Sequence, residues 1–152
     1  MQYHASNGTI LSVSGGGHNV FQNLNGFMGG GFLSVPGIVI ARSSHNTIDQ
    51  ATIDCTAEQQ AGPGILLTAG SSHGSITNSN IFVLYGNGIE VDLGGDHNII
   101  QSNTVETATT PQGYFAMLDE NPNCGHDAWT GNAFSNIFAA GQISASPASC
   151  ID

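Results

Sequence analysis

Short runs of alternating apolar and polar residues recur along this chain at nearly regular intervals. Two apolar residues stand two positions apart in each run, which is the pattern of a strand with one buried face. The pairs are Leu11 and Val13, Ile38 and Ile40, Ile65 and Leu67, and Ile89 and Val91. Gly, Ser, Asn and Asp, which supply tight turns and positive φ, separate the runs. The pattern therefore predicts many short strands joined by corners.

A histidine follows the strand in each repeat and gives the repeat length. The histidines of this set are His18, His45, His73, His97 and, in a looser setting, His126. They stand 27, 28, 24 and 29 residues apart, a spacing in the range of one structural repeat. A unit of this size cannot bury its apolar face alone and stacks on its neighbours.

Two further apolar positions follow each histidine. The first is occupied by Phe21, Ile48, Ile76, Ile100 and Trp129, and the second by Phe27, Ile53, Ile81, Val105 and Phe134. Equivalent residues of a parallel solenoid lie about 4.8 Å apart, so each position predicts an inward column. No segment keeps the apolar spacing of a helix over several turns. We predict an all-β parallel β-helix of about five coils, with residues 1–152 as one domain and 119–152 as an irregular C-terminal coil and cap. We expect this domain to be a fragment of a longer solenoid.

Two strings carry a resemblance to a known family. Residues 38–48, from Ile38-Val39-Ile40 to His45-Asn46-Thr47-Ile48, and residues 88–105 are similar to the right-handed parallel β-helix repeats of the pectin-lyase-like superfamily. Similar repeats occur in periplasmic copper-pathway β-helix proteins. The likeness covers roughly residues 8–138 and implies a right-handed β-helix. It implies no single activity, because this fold hosts lyases, hydrolases, epimerases, adhesins and scaffolds.

The catalytic motifs of that superfamily are incomplete in this sequence. Ser72-His73-Gly74 is similar to the Gly-His-Gly element of polygalacturonases, but their Asp-Asp pair and Arg-x-Lys element are absent. Pectate lyases use a basic residue to abstract a proton, and only Arg42 is available for that role because the chain has no lysine. The resemblance therefore does not predict a polyuronate lyase or hydrolase.

Charge excludes two classes of partner. The formal net charge is -10, with 11 acidic residues against Arg42 alone. Such a surface repels nucleic acid and anionic membranes, whose binding depends on Lys and Arg. No apolar run approaches the roughly 20 residues of a membrane-spanning helix. We expect neither a nucleic-acid nor a membrane partner.

The N-terminus predicts an open end of the solenoid. Met1-Gln2-Tyr3-His4 lacks the basic and apolar regions of a secretory signal, so no signal peptide is expected in this chain. The repeats begin almost at once, although solenoids need capping elements at both ends. We expect either a missing N-terminal segment or a partner, bound end-to-end or laterally, to cover the first coil.

The three cysteines form an unequal set. Cys124 and Cys150 flank the irregular C-terminal stretch, which favours a disulfide that closes the last loop. Cys55 follows Ile53 at strand alternation and is expected to be a buried free thiol. The alternative is three buried thiols, since free Cys is commonly buried. The disulfide would imply an oxidising compartment, and hence an extracellular or periplasmic location.

The histidine column has two interpretations. Rings at a β-helix corner can stack and hydrogen-bond neighbouring Ser and Asn groups, and this structural role is our prediction for His18, His45, His73, His97 and His126. The alternative is metal binding, because imidazole suits copper, nickel and zinc. Rings about 4.8 Å apart share a metal only if they converge, and no Cys or Met lies at a matching repeat position to help. No metal site is therefore predicted here.

An acidic cluster is the candidate catalytic site. Glu90 and Asp92 share the outward face of one strand, and Asp119 and Glu120 occupy the comparable stretch of the next coil when both are counted back from the histidine. Carboxylates about 5 Å apart suit a retaining glycosidase, and they can also hold calcium. The plain alternative is a solvated acidic face. Calcium aside, no cofactor is predicted.

Aromatic residues near these acids suggest the ligand. Tyr85, Tyr114 and Phe115 are candidate substrate-binding residues, because aromatic faces suit sugar rings. We therefore predict a module that binds a polysaccharide or other glycan, or presents a surface, without catalysis. One alternative is a glycoside hydrolase that uses the acidic cluster. Another is a purely structural spacer of the adhesin or tailspike type.

Overall fold

Short parallel strands wind into a solenoid in the computed structural model of this protein. The structure describes residues 2–5, 8–28, 34–56, 62–107, 114–136, 145–147 and 149–152. Successive strands pass through three sheets in turn, and every strand pair is parallel. The prediction of an all-β parallel β-helix is confirmed.

Each sheet collects the equivalent strand of successive coils. Sheet 1 contains β1 (Gln2–Ala5), β4 (Asn25–Met28), β7 (Thr52–Cys55), β10 (Asn80–Val83), β13 (Thr104–Thr107) and β16 (Ala133–Asn136). Sheet 2 contains β2 (Leu11–Ser14), β5 (Ile38–Ala41), β8 (Ile65–Leu67), β11 (Ile89–Val91), β14 (Met117–Asp119) and β17 (Ala145–Ser146). Sheet 3 contains β3 (Val20–Gln22), β6 (Thr47–Asp49), β9 (Ser75–Thr77), β12 (Ile99–Gln101) and β15 (Ala128–Thr130).

The core lies between the sheets and consists of columns of like residues. Ile65 pairs with Ile38 of the preceding coil and with Ile89 of the following coil, and all three are fully buried. A second column is formed by Ile48, Ile76, Ile100 and Trp129. Each buried aliphatic side chain removes enough apolar surface from water to contribute roughly 1.5–3 kcal/mol. The inward columns predicted three residues after the histidines are therefore present.

The prediction that Phe27 belongs to the inward column of Ile53 is wrong. Phe27 pairs with Asp54 rather than with Ile53, and it is the buried Gly26 that pairs with Ile53 in the inward column. The Ile10 side chain fills the space there, since its Cδ1 lies 2.7 Å from where a Cβ of residue 26 would stand. The sequence pattern placed the apolar residue Phe27 inward. In the structure Gly26 occupies that position, and the Ile10 side chain fills the space beside it.

Side-chain amides satisfy backbone groups at the corner between sheets 3 and 1. Asn103 accepts a hydrogen bond from the Ser79 N–H at 3.0 Å, and Asn132 accepts one from the Asn103 N–H at 3.0 Å. The Asn103 amide also donates to the Ile76 carbonyl at 2.9 Å. A buried backbone N–H without a partner costs roughly 1–3 kcal/mol, so this ladder allows the chain to turn inside the solenoid.

The helical content of the described residues is one short 3-10 turn, Pro122–Cys124. No helix in the described ranges has the length and apolar character needed to traverse a lipid bilayer. The predicted C-terminal coil and cap include 137–144 and 148, which lie outside the described residues. Its β15 and β16 pair in regular register with β12 and β13.

The corner before sheet 2 requires small residues. A Cβ at Gly64 would lie 2.5 Å from Ile81 Cγ2 and 2.7 Å from the carbonyl oxygen of Gly88 in the next coil. The second contact is with backbone, which cannot move without disturbing the sheet. The glycine is therefore needed for close approach of the coils, and its φ is not in the left-handed region.

We expect Gly64→Ala to lower the free energy of unfolding by about 1–3 kcal/mol, because it overpacks the corner. Urea denaturation monitored by circular dichroism measures the loss. Gly8→Ala is the matched control, since a Cβ there meets no atom within 4 Å. Equal unfolding free energies for both variants would contradict the close-packing argument.

The cysteine prediction is confirmed. Cys124 and Cys150 form a disulfide, and Cys55 is a buried free thiol. Desolvation, with a smaller contribution from the Asp54 charge, raises the pKa of Cys55 to about 12, so this thiol is unreactive at neutral pH. The disulfide joins the 3-10 turn to the last described residues of the chain.

Removal of the disulfide by Cys124→Ser/Cys150→Ser should cost on the order of 3 kcal/mol, because the bridge closes a loop across a sequence separation of 26. Thermal melting with and without a phosphine reductant tests this. The reductant should lower the melting temperature of the wild type and leave that of the double variant unchanged. Alkylation of three thiols in the native, unreduced protein would rule the bridge out.

Candidate functional site

The predicted line of histidines forms a continuous stack along one corner of the solenoid. Consecutive ring centroids lie 4.6, 5.1, 5.0 and 4.6 Å apart from His18 through His45, His73 and His97 to His126. The interplanar angles are 14°, 10°, 5° and 23° in the same order. The last pair is therefore the most tilted.

Backbone conformation places these rings outside the coil. His18, His45, His73 and His97 have φ values of 60°, 56°, 53° and 57°, in the left-handed region. Asn, Asp and His enter this region several-fold more often than other non-glycine residues. All four histidines are exposed, whereas Asn46 and Asn98, which follow two of them, are buried. His126 differs, because the positive φ values before it fall on Asn123, Cys124 and Gly125.

A carboxylate joins the last two rings of the stack. Asp96 Oδ2 lies 2.7 Å from His97 Nδ1, and Asp96 Oδ1 lies 3.0 Å from His126 Nδ1. An ionised carboxylate only accepts hydrogen bonds, so both Nδ1 atoms carry a proton, and in the neutral rings Nε2 is free to accept. Desolvation alone would raise the pKa of Asp96, but the bonds from His126 and His97 and the His97 charge hold it below its usual value.

Two further carboxylates lie behind this group. Asp119 is 3% exposed, and it accepts hydrogen bonds from the backbone and side chain of Asn121 and from Trp129 Nε1, each at 2.9 Å. Asp127 Oδ1 accepts the Asn98 N–H at 2.7 Å. Desolvation, with added repulsion from Asp119 and Asp96, raises the pKa of Asp127 to about 6. Asn98 takes the equivalent place one coil earlier, where its Oδ1 accepts the Gly74 N–H.

The prediction that Asp119 lies on the outward acidic face is wrong. Asp119 pairs with Val91 and so stands in an inward column, while Leu118 pairs with Glu90. Six residues separate Val91 from His97, but seven separate Asp119 from His126, and the 3-10 turn lies in this longer stretch. The prediction aligned the two coils by counting back from the histidine. The extra residue therefore paired Asp119 with Glu90, one position away from its true partner Val91.

The outward acidic face contains Glu90, Asp92 and Glu120. The Glu120 N–H donates to the Val91 carbonyl at 2.9 Å, so Glu120 continues the coil-to-coil register beside Asp92. Desolvation and the charges of Asp92 and Glu120 raise the pKa of Glu90, against a hydrogen bond from Asn87 that lowers it. Desolvation and then the Glu120 charge raise the pKa of Asp92. These three carboxylates therefore interact through repulsion.

The predicted aromatic residues lie in the segments that precede β11 and β14. Tyr85 precedes β11 and is 40% exposed, and Tyr114 precedes β14 and is 36% exposed. Phe115 is half-buried, and its N–H donates to Asn87 Oδ1 at 2.7 Å. The Asn87 side chain donates in turn to Glu90 Oε2 at 2.7 Å. Asn87 thus connects the backbone just before β14 to the acidic face.

Comparison with known proteins agrees with this architecture. Residues 2–106, more than half of the chain, match the family described as right handed beta helix region. The chain belongs to this family of right-handed β-helix proteins. No curated protein and no solved structure matches the chain. The family confirms the right-handed β-helix that the sequence resemblance implied, and the pectin-lyase-like superfamily is consistent with it.

Sequence reasoning missed Asp96, Asp127 and Asn87. The signal for Asp96 was its place directly before His97, at the register position that Gly17, Ser44 and Ser72 occupy in the other coils. Asp127 directly follows His126, whereas the other four histidines of the stack are followed by Asn or Gly. At both positions an acidic residue replaces the uncharged residue of the other coils. The prediction of no metal site depended on the lack of Cys or Met at matching repeat positions, and aspartate is also a metal ligand.

We expect Asp127→Asn to stabilise the protein at neutral pH, by on the order of 1 kcal/mol after solvent screening of this half-buried group. The folded-state pKa of about 6 lies above the unfolded value of 3.8, so folded Asp127 favours its proton. Stability is therefore lost as pH rises from about 4 through 6, and the neutral amide lacks this loss. Thermal melting from pH 4 to 8 measures the difference between variant and wild type.

Asp49→Asn is a control whose expected effect on stability at neutral pH has the opposite sign. Hydrogen bonds from Asn78, Gln22 and Thr77 lower the pKa of Asp49, so its contribution to stability is present above the unfolded pKa and lost at acid pH. This variant should be less stable than wild type at neutral pH, and the difference should shrink on acidification. A pH-independent difference for Asp127→Asn would contradict the raised pKa.

Proposed function

We propose that this β-helix binds a neutral glycan through a surface formed by the two exposed tyrosines and the outward carboxylates. We call it the tyrosine–carboxylate surface; its members are Tyr85, Glu90, Asp92, Tyr114 and Glu120. The observation that carries the proposal is that two tyrosines are exposed on successive coils, in the segments that precede β11 and β14. Glu90, Asp92 and Glu120 lie on the outward face of these strands or directly after them.

The exposed tyrosines supply apolar contact area. The large hydrophobic residues exposed within the described ranges are Val20, Tyr85, Leu93, Ile99 and Tyr114. Three of these, the tyrosines and Leu93, belong to the segments around β11 and β14. Tyrosine offers a flat apolar face with a polar end, which suits the C–H face and the hydroxyl rim of a sugar ring. Leu93 lies beside the acidic end, where its N–H approaches Glu120 Oε2 at 3.4 Å.

Charge restricts the class of glycan. Glu90, Asp92 and Glu120 already repel one another, as the raised pKa values of Glu90 and Asp92 indicate. A polyuronate or sulfated chain would add to this repulsion, and the sequence has only Arg42 to offset it. Carboxylates accept hydrogen bonds well from uncharged sugar hydroxyls. The surface therefore favours neutral polysaccharide.

We place the protein outside the cytoplasm, in an extracellular or periplasmic location. The support is the Cys124–Cys150 disulfide, since such bonds persist in oxidising compartments. A glycan ligand is consistent with that location and with the pectin-lyase-like superfamily. Calcium is a second ligand that the carboxylates would accept, because oxygen donors suit it.

A glycoside hydrolase is the second candidate function. Its support is the proximity of the outward carboxylates: burial and neighbouring charge raise the pKa of Glu90 and that of Asp92. A glycoside hydrolase needs two such carboxyl groups, one as general acid and one in the ionised form. Asp119 takes no part in this candidate, because it faces the core. A structural spacer is the third, and the regular stack of coils supports it.

We expect Tyr85→Ala and Tyr114→Ala each to weaken glycan binding by about 1 kcal/mol, roughly fivefold in Kd, through lost aromatic contact. A glycan array identifies the ligand, and calorimetry then measures each variant with calcium and with a chelator. Ile99→Ala is the matched control, since Ile99 is exposed on sheet 3. Equal losses for Ile99→Ala and the tyrosine variants would contradict the location of the surface.

A reducing-sugar assay distinguishes the hydrolase from the binder. Under the hydrolase hypothesis, Glu90→Gln and Asp92→Asn abolish turnover and leave binding nearly intact. Under the binding hypothesis, the wild type shows no turnover on any glycan that it binds. If the protein neither binds nor hydrolyses any neutral or acidic glycan, the binding and hydrolase hypotheses are both wrong, and the structural spacer remains.

A further inference from the structure

We propose that Asp96, His97 and His126 form a binding site for a divalent transition-metal ion of the Zn²⁺, Cu²⁺ or Ni²⁺ class. This Asp96–His97–His126 site lies at the corner between sheets 2 and 3, at the end of the histidine stack. It does not depend on glycan binding, because none of its residues belongs to the tyrosine–carboxylate surface.

The three ligand atoms already converge. One oxygen of Asp96 and one ring nitrogen from each histidine lie within 4.8 Å of one another. Asp96 oxygens are 2.7 Å from His97 Nδ1 and 3.0 Å from His126 Nδ1. Ligand atoms around a tetrahedral ion with bonds of about 2.0–2.2 Å stand roughly 3.3–3.5 Å apart, so small side-chain rotations are sufficient.

These rotations are open to the side chains. The exposed fractions are 49% for His97, 41% for Asp96 and 71% for His126, so neighbouring atoms leave room for movement. A bound ion would take the place of the two Nδ1 protons, which now form hydrogen bonds to Asp96. Each neutral ring would then carry its proton on Nε2, so the exchange needs no net proton release from the histidines.

The histidine stack fixes the position of one ligand before any ion binds. The His97 ring packs on His73 at 5.0 Å with an interplanar angle of 5°. His126 leaves this parallel arrangement, with a tilt of 23° from His97, and its ring and backbone N–H both approach Asp96 Oδ1. The Cys124–Cys150 disulfide holds the segment just before His126. Such prior order lowers the entropic cost of assembling a site.

The donor set selects the class of ion. Two imidazole nitrogens and one carboxylate oxygen suit Zn²⁺, Cu²⁺ and Ni²⁺, whereas Ca²⁺ and Mg²⁺ prefer oxygen ligands throughout. Two further carboxylates, Asp119 and Asp127, are close enough to add negative potential, since Asp127 is affected by both Asp119 and Asp96. The chain has a formal net charge of -10, which also favours a cation.

The other coils contain internal controls. His18 and His45 stack at 4.6 Å, the same separation as His97 and His126. The position that Asp96 occupies holds Ser44 and Ser72 in the preceding coils, which bring no carboxylate between their rings. If ring stacking alone captured metal, all pairs would bind equally. If the site is the one proposed, only the pair with Asp96 binds tightly.

Calorimetric titration of the purified chain with ZnCl₂, CuSO₄ and NiCl₂, without glycan, tests the proposal. We expect one equivalent of tightly bound metal in the wild type. Asp96→Ser, which introduces the residue of the other coils, and His126→Gln should each weaken binding at least about tenfold. His45→Gln is the matched control and should retain wild-type affinity. With Cu²⁺, electron paramagnetic resonance should show coupling to two nitrogens, and His126→Gln should reduce this to one.

Circular dichroism of each variant ensures that a loss of affinity is not a loss of fold. Should a variant fail to fold, the resonance spectrum of the wild type still decides, because coupling to fewer than two nitrogens would overturn the site. Two other results would overturn it. One is equal loss of affinity in His45→Gln and His126→Gln, which indicates adventitious metal on exposed histidines only. The other is wild-type affinity in Asp96→Ser.

Discussion

Hydrogen bonding between equivalent strands of successive coils determines where every other residue of this protein stands. Parallel pairing at about 4.8 Å places like positions in columns, so one coil fixes the faces of the next. The buried column Ile38, Ile65 and Ile89 follows from this register, and so does the histidine stack. A slip of one residue would exchange the inward and outward faces of a strand. The amide ladders at the corners help to prevent it.

The same register explains why the repeat carries chemistry only at certain places. A column of identical residues stacks with itself, and its side chains have their partners within the ladder. A residue that differs from its column meets partners which the other coils lack. Asp96 replaces serine in this way and finds two imidazoles. Glu90 replaces Leu66 on an outward face and is held by Asn87. The candidate sites are therefore departures from the repeat.

Much of the fold could be predicted from the sequence, because alternation and spacing report the register directly. The apolar pairs, the column through Ile76 and Trp129, and the disulfide all followed from position along the chain. The errors arose where a local length or a neighbouring side chain changed the register. One extra residue before His126 turned Asp119 inward, and Ile10 supplied the volume that Gly26 lacks. Such effects depend on packing between coils, and the sequence of a single strand does not report that packing.

The last coil departs most from the pattern and holds the groups that are costliest to bury. Asp119 replaces an aliphatic residue in the core, and Asp127 continues a ladder that Asn98 serves without charge. A buried carboxylate needs several donors to remain in place, and Asn121 and Trp129 provide them for Asp119. The disulfide supports the same coil and offsets part of that cost. Natural proteins accept such local conflicts mainly where function requires them, so the last coil, which contains His126, is expected to take part in function.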